Sequence, residues 1–330
     1  MHNQFYAFSQ EPFALTPDPG FIFLTEHHVH LVDSLEEGIK QRKGFMLLTG
    51  EKGVGKTTLI HHFLSLLGGG TKAIPLFQTY PTIEDLLRYL LQYLKLPSDG
   101  GNKSFMIAQF EEYLTRKAAL DETPVIIIDD AQNLGREVLE ELRLLAAPDP
   151  RKPKFLQEIF VADSGFEKML NSSDLQQLTQ RFAVRCLLQP LSEDESRKYL
   201  EYRLSRIGGT LSQVFTAEAV AFIIEKSRGI PRVINMLGYL ALSAGYTLSQ
   251  KKVDTALLER VFPLIGEEKP EALQLPGKEK AGAPRPGESA WAKFSDRFAR
   301  SSRIIRISYA LLVYSAVIWL ILLLLYLQRG

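Results

Sequence analysis

The sequence predicts a parallel α/β sheet followed by a small all-helical unit and, near the C-terminal end, an apolar segment long enough to span a bilayer. Three observations predict it. Residues 50–57 read Gly-Glu-Lys-Gly-Val-Gly-Lys-Thr, set between the apolar run Phe45–Leu48 and a helical pattern that starts near Lys56. After them, strand-like runs alternate with helical patterns up to residue 189, and the pattern turns to helices alone from Pro190. Ile307–Leu327 is uncharged and almost wholly apolar.

The first observation carries chemistry. A polyphosphate must be wrapped by backbone N–H groups, and glycines let the chain curl closely around it at a helix N-terminus. Lys56 then reaches the β and γ phosphates, and the Thr57 hydroxyl sits where it can ligate the Mg²⁺ that bridges them. The candidate nucleotide-binding residues are Gly50, Glu51, Lys52, Gly53, Val54, Gly55, Lys56, Thr57 and Thr58. The cofactors expected are ATP and Mg²⁺.

The elements follow in order. Ala73–Phe77 reads as a strand; Thr82–Leu94 reads as a helix with Leu86, Leu87, Leu90, Leu91 and Leu94 on one face; a second helix runs from about Ser104 to Ala118. Val125–Ile128 is a buried strand ending in Asp129 and Asp130. In a phosphate-loop protein Asp129 then holds Mg²⁺ through water or Thr57, and Asp130 orients and polarises the attacking water. The strand Phe155–Ala162 ends at Asp163 and Ser164, where a polar side chain either senses the γ phosphate or caps the next helix. After a helical segment with Leu175 and Leu178, Arg181 and Arg185 flank the start of the strand Val184–Leu188. Beyond Pro190, Ser192 and Glu195 form a capping box, Thr216 caps another helix, and Gly229-Ile230-Pro231-Arg232 is a turn opening a third, whose apolar face carries Val233, Leu237, Leu240 and Ala241. A fourth helix is expected over Val253–Val261.

Composition narrows the class. The 330 residues are 45% hydrophobic and 23% charged, which suits folded domains. A formal charge of +1 supplies no global basic field and argues against nucleic acid as a partner. Cys186 is the single cysteine, which excludes intrachain disulfides and cysteine-based metal sites and reads as a buried strand residue in a reducing compartment. The apolar segment, about 21 residues or roughly 31 Å as a helix, spans a bilayer. Lys293, Arg297, Arg300, Arg303 and Arg306 precede it and Arg329 alone follows it, which keeps the large N-terminal part in the cytoplasm. Glu267–Ala290 is rich in Pro, Gly, Glu and Lys and reads as a flexible linker; Trp291, Phe294 and Phe298 among the basic residues suit either an amphipathic helix on anionic headgroups or a plain charged flank. Met1–Pro12 lacks the basic start and apolar stretch of a signal peptide. The expected organisation is a nucleotide-binding core over 1–189, a helical lid over 190–265, a linker and basic juxtamembrane segment over 266–306, and a transmembrane helix over 307–327.

A core sheet with a helical lid, Arg181 late in the core and Arg232 in a Gly-x-Pro-Arg turn resembles an AAA+ P-loop NTPase. More closely, the chain is similar over about residues 5–265 to the bacterial secretion-pathway protein A family, inner-membrane ATPases linked to assembly of secretion or pilus machinery. The stretches that carry the resemblance are Pro12-Phe13-Ala14-Leu15-Thr16-Pro17-Asp18-Pro19, the phosphate loop, Asp129-Asp130-Ala131-Gln132-Asn133-Leu134, and Leu178-Thr179-Gln180-Arg181-Phe182. The resemblance implies an N-terminal Pro-Phe element packed beside the adenine, although the residues themselves equally allow a docking arm. It also implies Arg181 as an arginine finger given in trans, with Arg185 as the fallback, and Arg232 as the lid arginine. A finger in trans requires a homo-oligomer. Partners implied are the inner membrane and envelope or secretion-system membrane proteins. Two departures stand out. Asp130 replaces the family's usual glutamate, and the chain ends about three residues past Leu327, where some relatives carry a cell-wall-binding domain. The expected function is a membrane-anchored ATPase that assists assembly or gating of an envelope complex. The alternatives are a slow or non-hydrolysing nucleotide-dependent scaffold, or a DNA-associated transposition-type ATPase.

Overall fold

The computed structural model describes residues 2–16, 21–68, 70–78, 80–98, 102–146, 156–172 and 175–263. The expected linker, basic segment and span, residues 266–327, lie outside them. Among the described residues no helix is long and apolar enough to cross a membrane. Met1–Ile60 together with Leu67–Glu268 form one compact unit, and His61–Leu66 belong to a second.

The first unit begins with a short helix α1 (His2–Phe5) and a long one, α2 (Glu26–Lys40). There follow β1 (Phe45–Gly50), α3 (Lys56–Leu66), β2 (Thr71–Leu76), α4 (Ile83–Tyr93), α5 (Lys103–Ala119), β3 (Thr123–Ile128), α6 (Arg136–Leu145), β4 (Gln157–Ala162), α7 (Ser164–Leu170), α8 (Gln176–Thr179) and β5 (Phe182–Leu188). The five strands are parallel in the order β2-β3-β4-β1-β5. Every residue of β1, β3 and β4 is buried, which is why these strands read as mostly apolar runs rather than alternating ones. β2 is an edge, where Pro75 is tolerated. The Tyr89 and Tyr93 hydroxyls of α4 donate to the Pro75 and Ala73 carbonyls of that strand, at 3.1 and 3.4 Å. With β1 held between β4 and β5, the phosphate loop emerges at the carboxyl ends of the strands.

The helical unit comprises α9 (Glu193–Ser205), α10 (Leu211–Val214), α11 (Ala217–Ser227), α12 (Pro231–Thr247) and α13 (Thr255–Val261). The capping box is formed: the Glu195 N–H donates to Ser192 Oγ at 3.2 Å and the Ser192 N–H to Glu195 Oε2 at 2.8 Å. Thr216 caps α11 and Pro231 opens α12. The fourth helix starts later than its apolar pattern suggests. Val253 instead bridges Phe215, donating its N–H to the Val214 carbonyl at 2.7 Å, and Asp254 caps α13. Gly229, at φ +73°, leads into α12 beneath Leu191, whose N–H donates to its carbonyl at 2.9 Å; a side chain on Gly229 would collide with the Leu191 carbonyl.

Two apolar clusters hold the unit together. One surrounds the sheet with Phe45, Leu86, Phe110, Leu139 and Phe160. The other lies among the lid helices, and its largest contribution from outside them is Phe13, fully buried. The ring lies so close to Gly238 of α12 that a Cβ there would stand 2.6 Å from it, and it meets Phe215 edge-on at 6.2 Å. The N-terminal arm is thus pinned into the lid. At the foot of β4, Glu158 is fully buried and neither carboxylate oxygen has a hydrogen-bond partner among the described residues. Burial holds its carboxyl well above the usual range, which favours the neutral form.

Phe13→Ala should destabilise the chain by about 3–4 kcal/mol in urea denaturation, the usual toll of emptying a buried phenyl site. Glu158→Met should stabilise it by about 1 kcal/mol at pH 7. Because the carboxyl pKa is raised in the folded state, ionisation favours the unfolded chain, and the wild type gains stability as pH falls towards the unfolded value of about 4.3. The gap between Glu158→Met and wild type should therefore shrink between pH 7 and about 4.5.

Candidate functional site

β1 delivers the chain into the loop, and Lys56 opens α3. Gly53 lies at φ +88° and Gly55 at φ +106°, conformations costly for any side chain-bearing residue. No side chain caps the N-terminus of α3, so its first N–H groups are left to an external acceptor. Lys56 is only 9% exposed and its Nζ donates to the Gly50 and Glu51 carbonyls at 2.9 and 3.0 Å. Burial pulls its pKa below the ordinary lysine value, with the charges of Asp129, Asp163 and Asp130 opposing. Among the described residues no carboxylate pairs with this ammonium, so the loop presents a buried positive charge and open backbone donors to a common space. That suits a polyphosphate.

At the end of β3 the Thr57 hydroxyl donates to Asp129 Oδ2 at 2.7 Å, so the two residues expected to share a cation are brought together. Burial raises the Asp129 pKa, and the Thr57 hydroxyl, the Asp130 N–H and Lys56 pull it back. Among the described residues no three His, Cys, Asp or Glu side chains gather as a metal cluster, so a cation here would take Thr57, Asp129 and oxygens from phosphate or water. Asp130 is left-handed at φ +51°, a strained conformation for a residue with a side chain, worth about 1 kcal/mol or more. Its N–H donates to Asp129 Oδ1 at 3.0 Å, and its own Oδ1 accepts from Gln132 Nε2 at 3.0 Å. Gln132 Oε1 in turn accepts the Asp163 N–H at 3.1 Å, which ties the ends of β3 and β4 together. Asp163 Oδ1 accepts the Gly165 N–H at 2.9 Å as the N-cap of α7, so of its two expected roles the structure displays the capping one.

The loop forms one wall of a cavity of about 390 Å³. Lys52 to Leu59 and Asp130 line it on the core side, Ala14–Thr16 and Phe21–Leu24 from the N-terminal arm, and Tyr199, Arg203, Arg232 and Asn235 from the lid. Phe13 docks the arm, and the residues after Phe13 reach the cavity. Arg232 reaches the loop through its backbone, its N–H donating to the Gly53 carbonyl at 3.2 Å. A Cβ on Gly53 would lie 2.9 Å from that of Arg232, so lid and loop touch closely. Arg181 and Arg185 do not line the cavity. Arg185 Nη2 donates to the Thr179 carbonyl at 3.0 Å and its guanidinium lies over Phe182, whereas the Arg181 side chain has no hydrogen-bond or ion-pair partner among the described residues. Cys186 is buried with its thiol pushed up to about 11, an inert strand residue.

Sequence reading assigns no role to Gln132, Tyr199, Arg203 or Asn235. Asn235 left a trace, as a polar residue on the buried face of a helix otherwise apolar there. Tyr199 and Arg203 are four apart on α9, one helical face, among residues too polar overall to mark it as buried.

Asp129→Asn should raise the melting temperature of the nucleotide-free chain by about 2 °C, since a carboxyl whose pKa is raised on folding costs stability at neutral pH. The added stability that Mg²⁺ with ATP gives the wild type in the same thermal scan should disappear in the variant.

Residues 39–170 match the family described as AAA domain. General secretion pathway protein A of Aeromonas hydrophila is 32% identical over 255 residues, covering 77% of this chain and 46% of that protein, so the chain spans about half the length of this relative. Among solved structures, Aeropyrum pernix ORC2 in its ADPNP–ADP complexes is similar with a TM-score of 0.56 at 14% identity, over 78% of this chain and 72% of that one. The Walker-type ATPase PABY2304 of Pyrococcus abyssi has a TM-score of 0.50 at 22% identity, over 77% of each chain. These two likenesses are of fold. The domain match, the strand order and the relative at 32% identity agree: the chain carries an AAA domain of P-loop NTPase fold and is a relative of general secretion pathway protein A.

Proposed function

We propose that the chain is a homo-oligomeric ATPase, anchored by residues 307–327 in the bacterial inner membrane with its catalytic part in the cytoplasm, whose ATP cycle moves the 190–265 lid against the 1–189 core to assist assembly or gating of an envelope complex. The observation that carries the reading is the cavity lined by the phosphate loop, Asp130 and Arg232, whose Thr57 donates to Asp129 and whose Gly53 carbonyl accepts from the Arg232 N–H. In this reading Gly50 to Thr58 hold the phosphates, with Lys56 on the β and γ groups. Thr57 and Asp129 would hold Mg²⁺, which would supply positive charge against the charge developing on the phosphate oxygens. Asp130, aimed by Gln132, accepts a proton from the water that attacks the γ phosphorus, releasing ADP and phosphate. Arg232 reports the nucleotide to the lid. Arg181, whose side chain has no partner among the described residues, is given to the site of a neighbouring subunit. The basic residues before the apolar segment and the similarity to general secretion pathway protein A support the membrane and secretion-system context.

A second reading rests on Asp130. Its carboxylate is one methylene short of the glutamate usual in the family, and a displacement of about 1 Å at a water-positioning group costs on the order of 10²-fold in rate. A chain that assembles on binding ATP and rarely hydrolyses it fits that feature.

Phosphate release by the detergent-solubilised full chain separates the two. Lys56→Ala, blind to phosphate, and Arg181→Ala, lacking the finger, should each be inactive alone, and mixing them should restore turnover at mixed interfaces. Asp130→Glu should speed wild-type release by about tenfold or more. Tight ATP binding with no release, in wild type or Asp130→Glu, would leave the scaffold reading.

A further inference from the structure

The lid end of the cavity holds a charge that the phosphate chemistry does not use. Arg203 on α9 is 6% exposed and lines the cavity, yet no carboxylate pairs with it among the described residues. A guanidinium stays protonated wherever it is placed, so this buried charge must find compensation elsewhere. Part comes from aromatic faces: its Cζ lies 4.9 Å from the Phe21 ring centre and 5.4 Å from that of Tyr199. Its one side-chain hydrogen bond runs from Nε to the Tyr199 hydroxyl at 3.0 Å. The Nη donors have no acceptor among the described residues.

That single bond sets the polarity of its neighbours. Nε can only donate, so the Tyr199 oxygen accepts, and the phenolic proton goes on to Asn235 Oδ1 at 3.0 Å. Asn235 must therefore turn its oxygen to Tyr199 and keep Nδ2 free as another donor. The trio presents donors to the cavity: the Arg203 Nη groups and Asn235 Nδ2. Donors of this kind, beside aromatic rings and at the lid end of a cavity whose core side is the phosphate loop, suit a flat ring rich in hydrogen-bond acceptors.

We propose that Arg203, oriented by Tyr199 and Asn235, is the residue through which the site reads the nucleobase, donating to ring-nitrogen or carbonyl acceptors of a purine. A purine carries acceptors on more than one edge and offers the larger π face to the Phe21–Arg203 layer; a pyrimidine offers less of both. The inference rests on the nucleotide-binding reading above and adds to it the residue that selects the base.

Calorimetric titration of the detergent-solubilised full chain with ATP, dATP, GTP, CTP and UTP in Mg²⁺ tests it. Wild type should prefer both purines over both pyrimidines by about tenfold or more, the worth of one charged hydrogen bond. Arg203→Met should weaken ATP, dATP and GTP by about that factor and leave CTP and UTP unchanged. Tyr199→Phe, which keeps the ring and removes the hydroxyl, should narrow the same preference, and it decides the matter if Arg203→Met fails to fold. Equal weakening of all five nucleotides, or undiminished purine preference in both variants, would overturn the proposal. So would a penalty seen with ATP and absent with dATP, which would assign Arg203 to the ribose 2′-hydroxyl. Failure of wild type to bind any triphosphate would instead defeat the nucleotide-binding reading itself.

Discussion

The contact on which the rest depends is the short one between lid and loop, where the Arg232 N–H donates to the Gly53 carbonyl. It joins a backbone that phosphate would grip to the first turn of a helix running through the second apolar cluster. Gly53 permits the approach because a side chain there would press on Arg232 and Ile230. On the far side of the same turn, Gly229 fits beneath the Leu191 carbonyl just past the end of β5. One tetrapeptide, Gly229 to Arg232, is thus clasped by both the strand side and the loop side. In the proposed cycle, a change in the loop would reach the lid through these backbone contacts, which leave little slack for small displacements.

The second tie runs through the N-terminal arm. Phe13 is buried in the lid while the residues after it reach the cavity, so the arm shares the lid's core and the nucleotide's space. Anything that orders Ala14 to Thr16 also bears on α12 through the Phe13–Gly238 contact. The cavity is therefore enclosed by three elements distant in sequence, and in the proposed function a bound nucleotide would bias their relative positions.

Much of this was legible in the residues. The loop, the strand before it and the acids at the end of β3 are local patterns, each dictated by one element's chemistry, and the Thr57–Asp129 bond joins two residues that sequence alone had paired. The capping box at Ser192 was legible for the same reason. What escaped was long-range. α2 begins with a capping box whose third-position partner is His28 rather than Glu or Gln, and α6 follows Gly135, which offers no side-chain cap, so neither carried the usual start signal. Val253 looked helical by apolarity and was instead claimed by a bridge to Phe215. The roles of Gln132 and Arg203 depend on what the fold brings beside them, Asp163 in one case and Phe21 and Tyr199 in the other.

Hydrogen exchange of the full chain, with and without a slowly hydrolysed ATP analogue and Mg²⁺, tests the coupling of lid to loop most directly. Protection should rise together in the loop 50–58, the arm 13–16 and the turn 229–233, three segments joined only through the fold. Protection confined to residues 50–58, with the turn and arm exchanging as before, would contradict it.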